Sequence, residues 1–287
     1  MFSKDLLSFE ISMLRAQAFS HCRNMKDPKS ASLVNWKAFW NFHLGSWEGR
    51  WARYQPTGEL SETFLSSRSF QADPDKKVIK QLNQYLYTDG QYAEKDWNYS
   101  FLDHCKEDGF MHPASDYMRG LAFNNGSAAW LVPHGILNQY FPMELFLANK
   151  NVRHSVGMLY GINGTLERTA CIREQRAGLG QSPWSDDVNV IPAWNVGNNW
   201  RGVTEIIDAA LNRSRSEDSI KTTLQPNENE YFFPDNIILR CPKQLSLNKP
   251  FVISSLWLES TNQLRVIMAS YGSDFKLIDV RLQHLSR

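Results

Sequence analysis

The sequence predicts an all-β protein with two tandem antiparallel β-barrels that follow short N-terminal helices. The first indication is the opening Gly45-x-Trp47-x-Gly49, whose Trp-x-Gly core is repeated as Trp200-x-Gly202 in the second half of the chain. An indole can plug the end of a small barrel, and a glycine permits sharp coiling of its first strand. The second indication is a series of short strand-like segments separated by reverse-turn residues. We therefore expect these five residues to be structural and to close the two barrels.

The length and composition of the chain fit two domains. It has 287 residues, of which 42% are hydrophobic, so each half has enough apolar side chains for a core. The segment 177–196 contains glycines and prolines, lacks strand or helix periodicity, and marks a boundary. These features predict an N-terminal extension at 1–32, a first barrel at 33–180 and a second, smaller barrel at 181–287.

The elements of the first barrel are predicted from alternation and from turn residues. Hydrophobic spacing indicates a helix over 5–18 and an apolar helical turn over 35–43 that caps the barrel. About nine strands follow, mostly in hairpins with turn residues such as Asp89-Gly90. The predicted strands cover 47–54, 59–70, 78–88, 92–101, 120–123, 128–132, 141–147, 152–160 and 166–175. Antiparallel strands connected in this order close naturally into a barrel.

The second barrel begins near Trp200 and has fewer predicted strands. The segment 203–211 fits a helix, or a strand that runs into a short helix, and a polar loop is expected over 212–219. Turn residues at 259–262 and 271–274 mark a final meander. Its other strands are predicted near Lys221, Tyr231 and Ile237 and over 251–258, 263–269 and 275–282.

Charge and cysteine content exclude several classes of function. The 31 basic and 30 acidic residues give a net charge of +1, which provides no field for nucleic acid or an anionic membrane. The four cysteines are far apart and have no zinc-ligand spacing, so we expect no metal and no other cofactor. No apolar run reaches the roughly 20 residues that cross a bilayer. We therefore expect no nucleic-acid partner, no membrane span and a cytoplasmic location.

The barrel strands carry the candidate ligand-pocket residues. Their aromatic side chains line the interior whether it is filled or hollow. An inward arginine must be paired when it is buried, and Arg173 is expected to stack on Trp47 and hold the barrel end shut. Alternatively, Arg53, Arg68 and Arg173 anchor a ligand carboxylate. The full set is Trp47, Trp51, Arg53, Phe64, Arg68, Tyr85, Tyr87, Trp97 and Arg173. The scattered histidines form no nucleophile–base pair, so no catalytic residue is predicted.

Several motifs together resemble a known family. They are Asn35-Trp36, Gly45-x-Trp47-x-Gly49-x-Trp51, Arg68-Ser69-Phe70, Tyr87-x-Asp89-Gly90, Lys95-x-Trp97, Ile172-Arg173-Glu174, Phe233-Pro234-Asp235 and Cys241-Pro242-Lys243-Gln244. With them the chain resembles the calycin superfamily, and more specifically a two-barrel, lipocalin-like family of oxygenic phototrophs, domain of unknown function 3598. The resemblance covers roughly residues 33–287.

That family includes a biogenesis factor for the chloroplast ATP synthase. The resemblance therefore implies two calycin-type barrels and a non-enzymatic assembly factor that binds the β and γ subunits of the F1 sector. It also makes the plastid stroma an alternative location. The alternative function is a carrier or lyase for a small hydrophobic ligand, such as a bilin, carotenoid or fatty acid, held in a calycin barrel. An isomerase or cyclase that uses the barrel as a mould is a third hypothesis.

Overall fold

The computed structural model describes residues 28–136, 138–216, 229–246 and 248–287. Within them the chain consists almost entirely of antiparallel strands in two sheets, so the predicted all-β class is confirmed. The helix predicted over 5–18 and the strand predicted near Lys221 lie outside the described residues.

Helix α1, Pro28–His43, leads directly into the first strand and fills one end of the first barrel. Trp36 and Trp40 lie one helical turn apart and are both buried. Asn35 fixes the helix to the sheet, because its Nδ2 donates to the Gly120 carbonyl at 2.8 Å and its Oδ1 accepts from the Ala122 amide at 2.9 Å. The helix is longer than the predicted turn over 35–43, since its first half also packs on the barrel.

The first sheet has eleven strands in the order β4-β3-β2-β1-β11-β10-β9-β8-β7-β6-β5 and curls into a nearly closed barrel. A short helix, α2 at Phe101–His104, connects the two edge strands β4 and β5. The strands are β1 Gly45–Tyr54, β2 Leu60–Ala72, β3 Val78–Tyr87, β4 Tyr92–Ser100, β5 Cys105–Lys106, β6 Gly109–His112, β7 Ser115–Ala122, β8 Ala128–Leu131, β9 Phe141–Asn149, β10 Val152–Tyr160 and β11 Leu166–Arg176.

The second sheet has seven strands in the order β13-β12-β18-β17-β16-β15-β14. As in the first sheet, its opening strand pairs with its last strand. The strands are β12 Arg201–Asp208, β13 Arg213–Ser216, β14 Glu230–Phe233, β15 Ile237–Arg240, β16 Phe251–Ser260, β17 Gln263–Tyr271 and β18 Leu277–Ser286.

Three of the sequence predictions require correction. The first sheet has eleven strands rather than about nine, because β5 and β6 were missed. They span two and four residues, which is too short for alternation to be recognised. The segment 203–211 is strand β12 as far as Asp208, as one of the two alternatives had it, but contains no helix, and the loop predicted over 212–219 contains β13. Strand pairing across the sheet therefore decided the conformation of weakly patterned segments.

The two Trp-x-Gly openings have the same geometry in the two sheets. Trp47 Nε1 donates to the His43 carbonyl at 2.9 Å, and Trp200 Nε1 donates to the Val196 carbonyl at 3.2 Å, so each indole binds the residue four positions before it. Both indoles are fully buried, and each lies under an arginine at the end of the paired last strand, Arg176 or Arg287.

The hydrophobic core is shared between the sheets. One cluster contains buried residues of both, including Leu145 from β9 and Ile267 from β17. A second cluster lies under α1, and a third consists of residues of the second sheet and of the segment before it, including Val196 and Trp200. The division of the chain at residue 180 into two domains stays a prediction.

Candidate functional site

The interior of the first barrel contains a cavity of about 320 Å³. Aromatic side chains, among them Trp51, Tyr85 and Trp97, form much of its wall, and Arg68, Glu144 and Arg153 also line it. A neighbouring cavity of about 190 Å³ shares Trp51 and Glu144 with it. A volume near 300 Å³ is at the lower end of the range for small-molecule sites.

A buried charge network lies on one side of the cavity. Arg153 is 1% exposed and Glu174 is fully buried, and Arg153 Nε donates to Glu174 Oε2 at 2.7 Å. Arg68 Nε lies 3.1 Å from the other carboxylate oxygen. Arg153 Nη1 also donates to His43 Nδ1, whose Nε2 donates to the Gly126 carbonyl at 3.0 Å. Glu174 is thus shared by two arginines from strands β2 and β10.

Arg68 is only partly satisfied by this network. Its guanidinium lies over the Trp51 ring, with Cζ 4.8 Å from the ring centroid. No described residue accepts a hydrogen bond from its two Nη atoms, and Arg153 Nη2 is buried without a partner. The cavity wall therefore offers cationic donors that no described side chain uses.

Burial shifts the pKa values of several interior groups toward their neutral forms. Burial, followed by the charge of Arg153, lowers the pKa of His43 well below its usual value, and burial lowers the pKa of His112 to about 4. Burial also raises the pKa of Glu144, which favours its neutral form. The pKa of Glu174 is lowered, although burial opposes this, because two arginines surround the carboxylate. Its two arginine neighbours thus favour the ionised form of Glu174.

The second sheet provides an internal comparison for these charges. Glu174 is opposite Gly49 and Arg153, and the equivalent position opposite Gly202 is Leu285, which pairs with Leu264. Both leucines are 1% exposed. The Trp-x-Gly opening of the second sheet therefore forms beside an apolar pair, at the position where the first sheet has an ion pair. Since a buried ion pair is often no more stabilising than an apolar pair, the fold alone does not explain the charges.

The structure distributes the predicted pocket residues over several places. Trp51, Arg68, Tyr85 and Trp97 line the larger cavity. Arg53 lines the neighbouring cavity and lies over Phe64, and its Nη1 lies 2.5 Å from a Glu62 oxygen. Phe64 packs on Tyr87 at a centroid distance of 4.9 Å, and Trp47 is buried at the end of the barrel under α1.

The predicted stacking of Arg173 on Trp47 is wrong. Arg153 and Arg176 flank that indole, with Cζ atoms 4.1 Å and 4.0 Å from the ring centroid. Side chains alternate along β11, so Arg173 points away from Glu174 and toward the second sheet, where it binds Asp235. Arg173 therefore does not share a pocket with Arg68, and the three predicted arginines do not form one anchor.

Sequence reasoning missed Glu174, the carboxylate that the two arginines share, as well as His43, Glu144 and Arg153. The sequence did contain one indication of the buried ion pair: Arg153 and Glu174 lie on β10 and β11, two strands that were predicted to be adjacent. Their register was not predictable, and one residue of slip reverses the face on which each side chain lies.

The Arg173–Asp235 pair connects the two sheets and yields a stability prediction. Arg173 is 3% exposed and also donates to Ser185 Oγ and to the Asp187 carbonyl. We expect Asp235→Asn to lower the free energy of unfolding by about 1.5–3 kcal/mol, because a buried guanidinium loses its charged acceptor. Urea denaturation measures this loss.

Asp186→Asn is the matched control for Asp235→Asn. Asp186 also binds an arginine, Arg50, but its side chain is 98% exposed. An exposed pair contributes about 0–1 kcal/mol, so equal losses for the two variants would contradict the assigned role of Asp235.

A comparison with known protein families identifies the family of this chain. The model described as "Domain of unknown function (DUF3598), N-terminal" matches residues 32–179, just over half of the sequence. The chain belongs to the DUF3598 family. No curated protein matches it.

Solved structures with a similar fold include another member of this family. A DUF3598 protein of unknown function from Nostoc punctiforme PCC 73102 has a TM-score of 0.64 and 19% identity, over 88% of this chain and 98% of that chain. The S-type phycobiliprotein lyase CPES from Guillardia theta has a TM-score of 0.35 and 10% identity, over 53% of this chain and 97% of its own. The first likeness shows the DUF3598 fold, and the second is too distant to support an argument.

Two further features are absent from the described residues. In the part of the chain that the structure describes, no helix has the length and hydrophobicity needed to cross a membrane. The same residues contain no group of three or more histidine, cysteine or acidic side chains positioned to hold a metal ion.

Proposed function

We propose that this DUF3598 protein binds a small anionic ligand with an aromatic or conjugated body inside its first barrel. The observation that carries the proposal is the pair of buried arginines at the cavity, Arg68 and Arg153, which share one carboxylate and retain unused donors. A buried charge without full compensation is costly, so a ligand anion at this position would supply what the fold leaves out.

The cavity wall suits such a ligand in shape as well as in charge. Aromatic rings provide flat apolar surface for the body, and the Arg68 guanidinium lies at the wall over Trp51. A few polar groups in a mostly apolar pocket are the usual arrangement for orienting a small molecule. Of the three ligand classes implied above, a bilin and a fatty acid carry carboxylates, whereas a carotenoid does not. The site favours the first two.

Two fluorescent probes test this function. 8-Anilino-1-naphthalenesulfonate is anionic, and N-phenyl-1-naphthylamine has the same aromatic body without the charge. We expect Arg68→Met to weaken binding of the sulfonate by about 10- to 100-fold, since a hydrogen bond to a charged group contributes about 1.5–3 kcal/mol. Binding of the neutral amine should stay nearly unchanged, because the apolar wall remains.

Arg281→Met is the control, because Arg281 lies on β18 of the second sheet, where it binds Asp279. Thermal unfolding of each variant establishes that it is folded. If folded wild-type protein binds neither probe, or if Arg68→Met weakens both probes equally, the proposed anion site is wrong.

The assembly-factor function is a second candidate, and one surface feature favours it. Leu65, Leu86 and Tyr92 lie opposite one another on β2, β3 and β4, and their exposed fractions are 47%, 48% and 59%. A contiguous exposed apolar row is a feature of protein-contact surfaces. We propose, on the family resemblance, that its partners would be F1 β and γ. Binding of purified F1 β or γ that is lost with Leu86→Asp and kept with Gln84→Asp would support this role, and no binding by the wild-type protein would reject it.

A further inference from the structure

Glu144 lies where the two interior cavities meet, because it lines both of them. Ser155 Oγ donates to Glu144 Oε1 at 2.6 Å and fixes the carboxyl group. Among the described residues, none donates a hydrogen bond to the second oxygen, Oε2. Ser155 therefore holds one carboxyl oxygen, Oε1, and the other, Oε2, is available to a molecule in the cavity.

The surroundings of Glu144 tune its proton affinity in two directions. Burial raises its pKa, while Arg68 and the Ser155 hydroxyl lower it; the other charged groups that act on it are Glu174 and Arg153. A carboxyl group with a raised pKa exchanges protons near neutral pH more readily than an ordinary one. The fold does not demand this residue, since the equivalent position on β16 of the second sheet is Ser254.

We propose that Glu144 transfers a proton to and from the ligand bound in the first barrel, so that the site catalyses the isomerisation of an unsaturated carboxylate. This inference rests on the proposed binding function. The substrate class follows from the groups that surround Glu144: an anion for Arg68, a conjugated body for the aromatic wall, and an acidic C–H bond for the carboxylate.

The reaction requires no co-reactant. The Glu144 carboxylate removes a proton from a carbon next to the conjugated system, and the electron pair of the C–H bond moves into that system. The arginines stabilise the negative charge that develops on the ligand. The carboxyl group then returns the proton to a different carbon, which shifts the double bond and restores the carboxylate.

The probe reaction is the base-promoted opening of 5-nitrobenzisoxazole. A carboxylate takes the proton from its ring carbon, that electron pair forms a nitrile, and the nitrogen–oxygen bond breaks to give a coloured phenolate. The proton ends on Glu144 and is lost to water. The probe is flat and aromatic and needs only a positioned base, so it tests Glu144 without knowledge of the natural ligand.

We expect the protein to accelerate this reaction with saturation, and with a rate that rises with pH as Glu144 loses its proton. Glu144→Gln should lower the rate by about 100-fold or more, the usual contribution of a positioned base. Ser155→Ala should move the inflection to higher pH, because the hydroxyl stabilises the ionised carboxylate. Glu59→Gln, which changes an exposed glutamate in a turn, should have no effect.

The two probes separate this inference from the binding function on which it rests. Binding of 8-anilino-1-naphthalenesulfonate is measured on the same samples. If Glu144→Gln binds the sulfonate and keeps the wild-type rate, or if the wild-type protein binds it without any acceleration, proton transfer by Glu144 is overturned while the anion site stands. If the wild-type protein binds no sulfonate, the binding function fails and the inference fails with it.

Discussion

Glu174→Leu is expected to lower the free energy of unfolding by about 3–5 kcal/mol, the usual result of removing one partner from a buried ion pair. Glu174 is fully buried between Arg68 and Arg153, and no other carboxylate pairs with either arginine among the described residues. Without Glu174 the two guanidinium groups lie close together without a counter-ion. Urea denaturation with an unchanged m-value measures the loss as a shift of the midpoint.

The double variant Arg153→Leu/Glu174→Leu tests whether the loss comes from charge or from packing. It reproduces the pair Leu264–Leu285 that occupies the equivalent position in the second sheet. We expect it to recover part of the stability, because one of the two uncompensated cations is removed while Arg68 stays without a counter-ion. Asp75→Ala, which breaks an exposed pair with Lys77, is the control and should cost about 0–1 kcal/mol.

If the double variant is as unstable as Glu174→Leu, the cost lies in the shape of the side chains and not in unpaired charge. The Leu264–Leu285 pair of the second sheet would then no longer indicate that the charges of the first sheet serve a ligand. Recovery of stability together with loss of sulfonate binding would instead show that the charges are kept for binding.

The glycines of the two Trp-x-Gly openings should be the least replaceable in the chain. A Cβ atom on Gly49 would lie 2.2 Å from the Arg173 carbonyl oxygen, and one on Gly202 would lie 1.8 Å from the His284 carbonyl oxygen. Both neighbours are backbone atoms of the paired last strand, so relief requires that the strands separate. We expect Gly49→Ala and Gly202→Ala each to lower the free energy of unfolding by about 3 kcal/mol or more.

Gly157→Ala is the matched control, because Gly157 also lies within a strand but a Cβ atom there would meet Ala170 Cβ at 3.6 Å, an ordinary contact. The change should be neutral or should stabilise the protein by up to about 1 kcal/mol through the unfolded state. Thermal unfolding followed by circular dichroism compares the three variants. Equal unfolding midpoints for all three variants would mean that the close approach of the strands is not the reason for glycine at positions 49 and 202.

Much of the fold could be predicted because its signals are local. The hairpin turns at Asp89-Gly90 and Gln55–Gly58 require particular backbone conformations, and strand alternation beside them fixes the element type. The Trp-x-Gly openings are equally local, since one glycine and one indole define each. The short strands β5, β6 and β13 escaped prediction because two to four residues show no period, and their pairing partners stabilise them.

The candidate site depends on contacts between residues that are far apart in the sequence, and no local pattern encodes such contacts. His43, Arg68, Arg153 and Glu174 come from a helix end and three strands, and they meet only when the barrel closes. The residue types were visible in the sequence, as was the need to pair any buried arginine. Which arginine faced inward was decided by strand register: it placed Arg153 and Arg176 beside Trp47 and turned Arg173 toward the second sheet. The sequence thus specifies the strands, turns and class of the protein, whereas barrel closure specifies the site, because a one-residue change of register exchanges the two faces of a strand.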